Sequence, residues 1–124
     1  MNLLLDTHIL LWWFAADRHL SSAARIAITG SDRRYVSAAT AWEINIKVAL
    51  GKLEFQGNIE EQIALNQFVP LSVTVAHAVA PGKLPSHHRD PFDRMLVAQA
   101  MAESLTLVTH DAHLARYGVA TLLV

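Results

Sequence analysis

The sequence predicts an α/β domain in which a parallel sheet of four to five strands is covered by helices on both faces. Three observations predict it. Apolar runs of strand length, such as Leu3-Leu4-Leu5 and Leu105-Thr106-Leu107-Val108, alternate with stretches of helical period. Those runs are continuously apolar rather than alternating, the mark of strands buried on both sides. The chain has 124 residues, which suits one domain, residues 1–124.

In chain order, residues 3–5 form the first strand and residues 8–16 a helix. Ser21-Ser22 opens a second helix that runs to Thr29. Residues 35–37 are a short strand and residues 38–50 a helix capped at its C-terminus by Gly51. Residues 58–67 are helical, 69–72 a short strand, and 75–79 a short helix stopped by Pro81-Gly82. Asp90-Pro91-Phe92-Asp93 starts a long helix that ends at Glu103. Residues 105–108 are a strand, 112–117 a short helix and 119–124 a last strand. No repeat, linker or low-complexity tract interrupts this order.

Composition narrows the function. Hydrophobic residues make up 52% and charged residues 17% of the chain, so it buries a core and is not disordered. No cysteine is present, which excludes zinc ribbons, iron–sulfur clusters and thiol nucleophiles. Ten basic residues against eleven acidic ones give a formal charge of −1. No global field then draws the protein to a polyanion, and any such ligand must be held by a local patch or a metal ion. The N-terminus lacks a basic leader, its apolar run stops at Asp6, and no run approaches the roughly 20 residues of a membrane span. The expected location is the cytoplasm.

Ligands of open α/β sheets lie beyond the carboxyl ends of the strands. Four acidic residues fall there. Asp6 ends the first strand, Glu43 follows Ser37 by a turn and a half of helix, Asp93 lies in the first turn of the long helix, and Asp111 comes just after the strand at residues 105–108. Each also has an ordinary structural role available. Asp6 and Asp111 suit helix N-caps, Asp93 stands at the third position behind an Asp90 cap, and Glu43 pairs at i, i+4 with Lys47. Together they are harder to explain so. Two carboxylates about 4 Å apart repel by roughly 4 kcal/mol at an effective dielectric near 20. A small domain is stable by only about 5–15 kcal/mol, so four ionised acids in one cleft call for a cation among them. An all-oxygen donor set favours Mg²⁺ or Mn²⁺, ions that activate water for phosphodiester hydrolysis.

These residues also carry a resemblance. Leu4-Leu5-Asp6-Thr7-His8, Ser37-Ala38-Ala39-Thr40-Ala41-Trp42-Glu43-Ile44, Gly51-Lys52-Leu53, the run from His88 to Ala100 containing Asp90-Pro91-Phe92-Asp93-Arg94, and Leu107-Val108-Thr109-His110-Asp111 resemble the PIN-domain nucleases. The nearest branch is the VapC-type toxins of bacterial toxin–antitoxin pairs. The resemblance spans essentially the whole chain in order. It implies a PIN-like three-layer fold and a metal-dependent endoribonuclease with Mg²⁺ or Mn²⁺ as cofactor. It places the acidic site on Asp6, Glu43, Asp93 and Asp111, with Thr7, Ser37 and Thr109 as the hydroxyls beside those carboxylates. It also implies an RNA substrate, a homodimer and a cognate antitoxin protein.

Lys47, Lys52, Arg89 and Arg94 lie in or near the motif segments and are candidates for phosphate contacts, or equally solvated surface charges. Residues 9–14 are apolar around nearly the whole helix, so either Trp12 or Trp13 is expected to face a partner, unless the helix is wrapped by its own neighbours. Seven histidines are present. His110-Asp111 follows a strand and no acidic residue comes after it, which excludes an HD phosphohydrolase. The histidines are expected on the surface or at RNA. Two other classes stay open from the residues alone: a PIN-fold nuclease of RNA processing or repair that has no antitoxin, and a binding module in which the acids are only caps.

Overall fold

The protein is described from a computed structural model covering residues 1–85 and 90–124. Five strands form one sheet: β1 (Asn2–Leu5), β2 (Arg33–Ser37), β3 (Val69–Leu71), β4 (Thr106–Thr109) and β5 (Thr121–Leu123). Every pairing is parallel and the strand order is β3-β2-β1-β4-β5. The helices are α1 (Thr7–Phe14), α2 (Ser22–Thr29), α3 (Ala38–Ala49), α4 (Ile59–Leu65), α5 (Val75–Val79) and α6 (Pro91–Ala102). Short 3₁₀ helices follow at Ala80–Lys83 and Ala112–Tyr117.

Alternation along β1 divides the core in two. Leu3 and Leu5 pack with Ile9, Leu10, Ile28, Val36, Ile44 and Phe68 on one face of the sheet. Leu4 packs with Leu96, Val97, Ala100, Leu107 and Leu114 on the other. Both faces are thus covered, which gives the three layers expected from the apolar strands. The chain winds from β1 outward to β3 and then crosses to β4, so β1 lies where the direction of winding reverses. The carboxyl ends of β1 and β4 flank this point, the usual place for a ligand in such a sheet.

Helix ends account for most boundary differences. The amides of Asp17, Lys52, Phe68 and Leu105 reach back to the carbonyls of Trp12, Lys47, Ile63 and Ala100 at 2.8–3.0 Å, closing α1, α3, α4 and α6. Each closure needs a left-handed residue just before it. At α3 that residue is Gly51, φ +71°. At the others it is Ala16, Gln67 or Ser104, φ +50° to +59°, so those helices stop one or two residues before their sequence-based ends without a glycine to mark it. No described helix is long and apolar enough to cross a membrane.

Candidate active site at the carboxyl edge of the sheet

Asp6 leaves β1 with its backbone amide still donating to the Val108 carbonyl at 3.0 Å, one step past the β1–β4 ladder. Its side chain is only 5% exposed. One carboxylate oxygen, Oδ1, accepts from the Ile9 amide at 3.0 Å and caps α1. The other, Oδ2, accepts from the Thr109 hydroxyl at 2.6 Å. Thr109 Oγ1 in turn accepts from the Asp111 amide at 3.1 Å, and Asp111 Oδ1 caps the following 3₁₀ helix through the His113 amide at 2.9 Å. One buried threonine thus ties the ends of β1 and β4 together and sets the position of Asp111.

Glu43 comes from the second turn of α3, whose N-cap is Ser37 Oγ accepting from the Ala39 amide at 3.0 Å. Its carboxylate is 4% exposed. Thr7 donates to Oε1 at 2.7 Å and Lys47 Nζ donates to Oε2 at 2.7 Å. The expected i, i+4 pair is therefore present, but on a buried carboxylate rather than a solvated face.

These acids act on one another. Burial is the main reason that the Asp6 carboxyl titrates above its ordinary value of 3.8; its bonds to Thr109 and Ile9 and the charge of His8 oppose the shift, and Glu43 adds to it. Lys47 is pushed above its ordinary 10.5, first by its bond to Glu43 and further by the charges of Asp90 and Asp93, against the cost of burial. The Lys47 ammonium therefore lies in the field of the first turn of α6 as well as of α3. Asp90 caps α6 with Oδ1 accepting from the amides of Phe92 (2.8 Å) and Asp93 (3.4 Å). The capping and chemical readings do not exclude each other, because a carboxylate has two oxygens with about four lone-pair sites.

Residues 3–120 match the PIN domain family. Ribonuclease VapC22 of Mycobacterium tuberculosis is 31% identical, the match covering 91% of this chain and 89% of that protein. This chain belongs to the PIN domain family. Two solved structures share its fold. One is VapBC2 from Rickettsia felis bound to a DNA fragment from its promoter, with TM-score 0.76, 17% identity and coverage of 99% of this chain and 98% of that one. The other is FitAcB from Neisseria gonorrhoeae, with TM-score 0.68, 19% identity and coverage of 97% and 96%.

The donors of this PIN domain fit a hard divalent cation in kind: carboxylates and hydroxyls, with Asp6 and Glu43 both buried. Among the described residues, no three carboxylates or imidazoles stand close enough together to hold a metal ion. The Lys47 ammonium supplies the positive charge beside Glu43.

Three expectations are corrected. Arg94 is not presented to a phosphate: its guanidinium donates to the carbonyls of Pro81, Leu84 (3.1 Å) and Pro85 (3.0 Å) and to the Tyr117 hydroxyl (3.3 Å), clamping the chain before α6. The long apolar run does not leave Trp12 or Trp13 fully exposed: both are half-buried against their own chain. Trp13 Nε1 donates to Asn66 Oδ1 at 3.0 Å, with Arg25 over its ring and Phe68 at its edge, and Trp12 is surrounded by imidazoles. The exposed tryptophan is Trp42 of α3, at 63%. Lastly, His77 is no surface histidine. It is buried, its Nδ1 accepting from the Thr74 amide at 3.1 Å and its Nε2 lying 2.9 Å from Glu103 Oε1, and it completes a capping box at α5. Its spacing behind Thr74 is the signal that could have revealed it. Lys52 is exposed and lines the same cleft as Lys47. Arg89, His87 and His88 lie outside the described residues.

Proposed function

We propose that this PIN domain is a Mg²⁺- or Mn²⁺-dependent endoribonuclease and the toxin of a toxin–antitoxin pair, acting in the cytoplasm. The observation that carries the proposal is the pair of buried, mutually repelling carboxylates, Asp6 and Glu43, at the reversal point of a parallel sheet. The name of the Mycobacterium relative, a ribonuclease, supports the substrate class, and the toxin–antitoxin complexes of like fold support the partner.

Asp6, Asp93 and Asp111 would hold the cation, directly or through water. Bound there, it would supply charge neutralisation at the scissile phosphate and a lowered pKa for water. Glu43, fixed by Thr7 and Lys47, keeps lone pairs with which to accept a proton from the attacking water and align it. Thr7, Ser37 and Thr109 hold the acids and the start of α3 in place. Lys47 and Lys52 offer positive charge to flanking phosphates. In-line attack by water leaves a 5′-phosphate and a 3′-hydroxyl, so the ribose 2′-hydroxyl need not take part.

A second copy of this chain is the partner that α3 and α6 suit. Trp42 projects beside an apolar groove formed by Ala38, Ala39, Val73, Phe92 and Met95, with its ring edge-on to Phe92 at 5.7 Å. A knob and a hole on one patch are what a two-fold, self-complementary interface uses.

The test is RNA cleavage with 5′-end mapping by the natural chain and by Asp93→Asn, Asp6→Ala and Glu43→Gln. Metal-dependent cleavage that leaves 5′-phosphates and is lost in all three variants is the expected result. Cleavage that survives in Asp93→Asn would sink the proposal and return that residue to a capping role.

A further inference from the structure

Beside the carboxylates lies a cluster that neither the cation nor the acids explain. The Trp12 indole is stacked against the His19 imidazole, centroids 5.3 Å apart and planes 20° from parallel. His110 meets the same indole edge-on at 5.3 Å, and His8 stands tilted at 6.2 Å. Three imidazoles around one indole are unusual on a surface, because exposed histidines ordinarily rotate freely. Two of these are held. His19 Nδ1 lies 2.7 Å from Asp17 Oδ1, the same oxygen that accepts from the His19 amide at 2.8 Å. His110 Nδ1 lies 2.6 Å from the Val124 main-chain oxygen, which can only accept, so Nδ1 carries the hydrogen. The His19 side chain is nonetheless 67% exposed. An oriented, exposed ring stacked on a half-buried indole is a surface prepared for another flat ring.

Its position points to the occupant. His8 lies in the first turn of α1, two residues after Asp6, and His110 adjoins Asp111 in sequence. His8 and Trp12 share a cleft of about 680 Å³ with Lys47 and Lys52, and Lys47 also bonds Glu43. Cations that follow a backbone, interleaved with rings on which bases stack, are how single-stranded nucleic acid is held. We propose that the stacked Trp12–His19 pair, with His110 edge-on to it, is a platform for an unpaired RNA base next to the scissile phosphate. This rests on the ribonuclease reading and adds to it the residues that receive a base beside the cut.

The experiment pairs cleavage kinetics on a single-stranded oligoribonucleotide with its binding, followed by anisotropy in chelator, for the natural chain, His19→Ala, His19→Phe and His19→Lys. We expect His19→Ala to raise KM and Kd about tenfold, with kcat within about twofold, and His19→Phe to restore both. An abasic nucleotide at one position should weaken the natural protein equally and leave His19→Ala indifferent. Unchanged KM and Kd in His19→Ala, or rescue by Lys and not by Phe, overturns the platform, since the second outcome marks a phosphate contact. Should the natural chain cleave no RNA, the ribonuclease reading fails on its own, and the Kd series with the abasic scan still decides the platform.

Discussion

Thr109 donates its hydroxyl hydrogen to Asp6 Oδ2 across 2.6 Å, joining residues 103 apart in sequence at the ends of neighbouring strands. Thr109 Oγ1 itself accepts from the Asp111 amide, and Thr109 is fully buried. The hydroxyl therefore serves two acids, satisfying one and fixing the backbone of the other.

Thr109→Val keeps shape and removes both bonds. It strands a buried carboxylate oxygen and an amide, at an expected cost of about 1–3 kcal/mol in unfolding free energy. Affinity for Mg²⁺ should fall by about 10–100-fold, the usual effect of losing a group that orients a ligand. Thr109→Ser should recover most of both. Urea unfolding and a metal titration measure them, and a Val variant as stable as the natural protein would remove Thr109 from this role.

The Asp6 carboxyl titrates above 3.8 in the fold, chiefly through burial. The folded chain then holds this proton more tightly than the unfolded chain. Ionisation costs stability, beginning as pH rises past about 3.8 and complete above the raised folded value. Asp6→Asn removes the cost and keeps the N-cap, which asparagine fills as well as aspartate. In chelator the variant should gain stability relative to the natural protein as pH rises from 4, then level off. A pH-independent difference between the two would show that Asp6 is not held above its ordinary value.

How far the sequence reveals this arrangement depends on the kind of signal. Leu3-Leu4-Leu5 and Leu107-Val108 announce buried parallel strands, because burial on both faces demands unbroken apolar runs. Asp6, Asp93 and Asp111 announce themselves by following strands or opening a helix. Orientation is less legible. Whether Trp12 or Trp42 faces solvent depends on which flank of a helix meets the sheet, and α1 is apolar nearly all round, so its pattern selects no face. Arg94 reads as a surface cation because three of its partners are main-chain carbonyls, which have no sequence signature. The burial of Glu43 is hidden for a similar reason: a lysine four residues after it is an ordinary pattern, and only the fold shows that the pair is turned inward.

That lysine leads to a third expectation. Lys47 supplies positive charge to Glu43 at 2.7 Å. Lys47→Met leaves Glu43 buried without its counter-charge, which should cost about 1–3 kcal/mol in chelator. If Glu43 also serves the cation, millimolar Mg²⁺ or Mn²⁺ should stabilise Lys47→Met by more than it stabilises the natural protein, because the ammonium no longer competes. Thermal melts with and without metal give the comparison. An equal metal-induced rise in both proteins would separate Glu43 from the cation.

Trp42 is 63% exposed and touches the ring of Phe92 at the mouth of an apolar groove. An exposed aromatic at the mouth of an apolar groove suits an interface with a partner. Replacing it with a charge should therefore leave the fold intact and act on association alone. If the proposed two-fold pairing forms, the natural chain should run as a dimer in light scattering and Trp42→Glu as a monomer at the same concentration, with a melting temperature independent of protein concentration. Trp13→Phe is the control: Trp13 packs within its own chain, so the substitution should lower stability through the lost bond to Asn66 and leave the dimer whole. A Trp42→Glu variant that stays dimeric would move the interface to another face, and the groove between α3 and α6 would then need a different occupant.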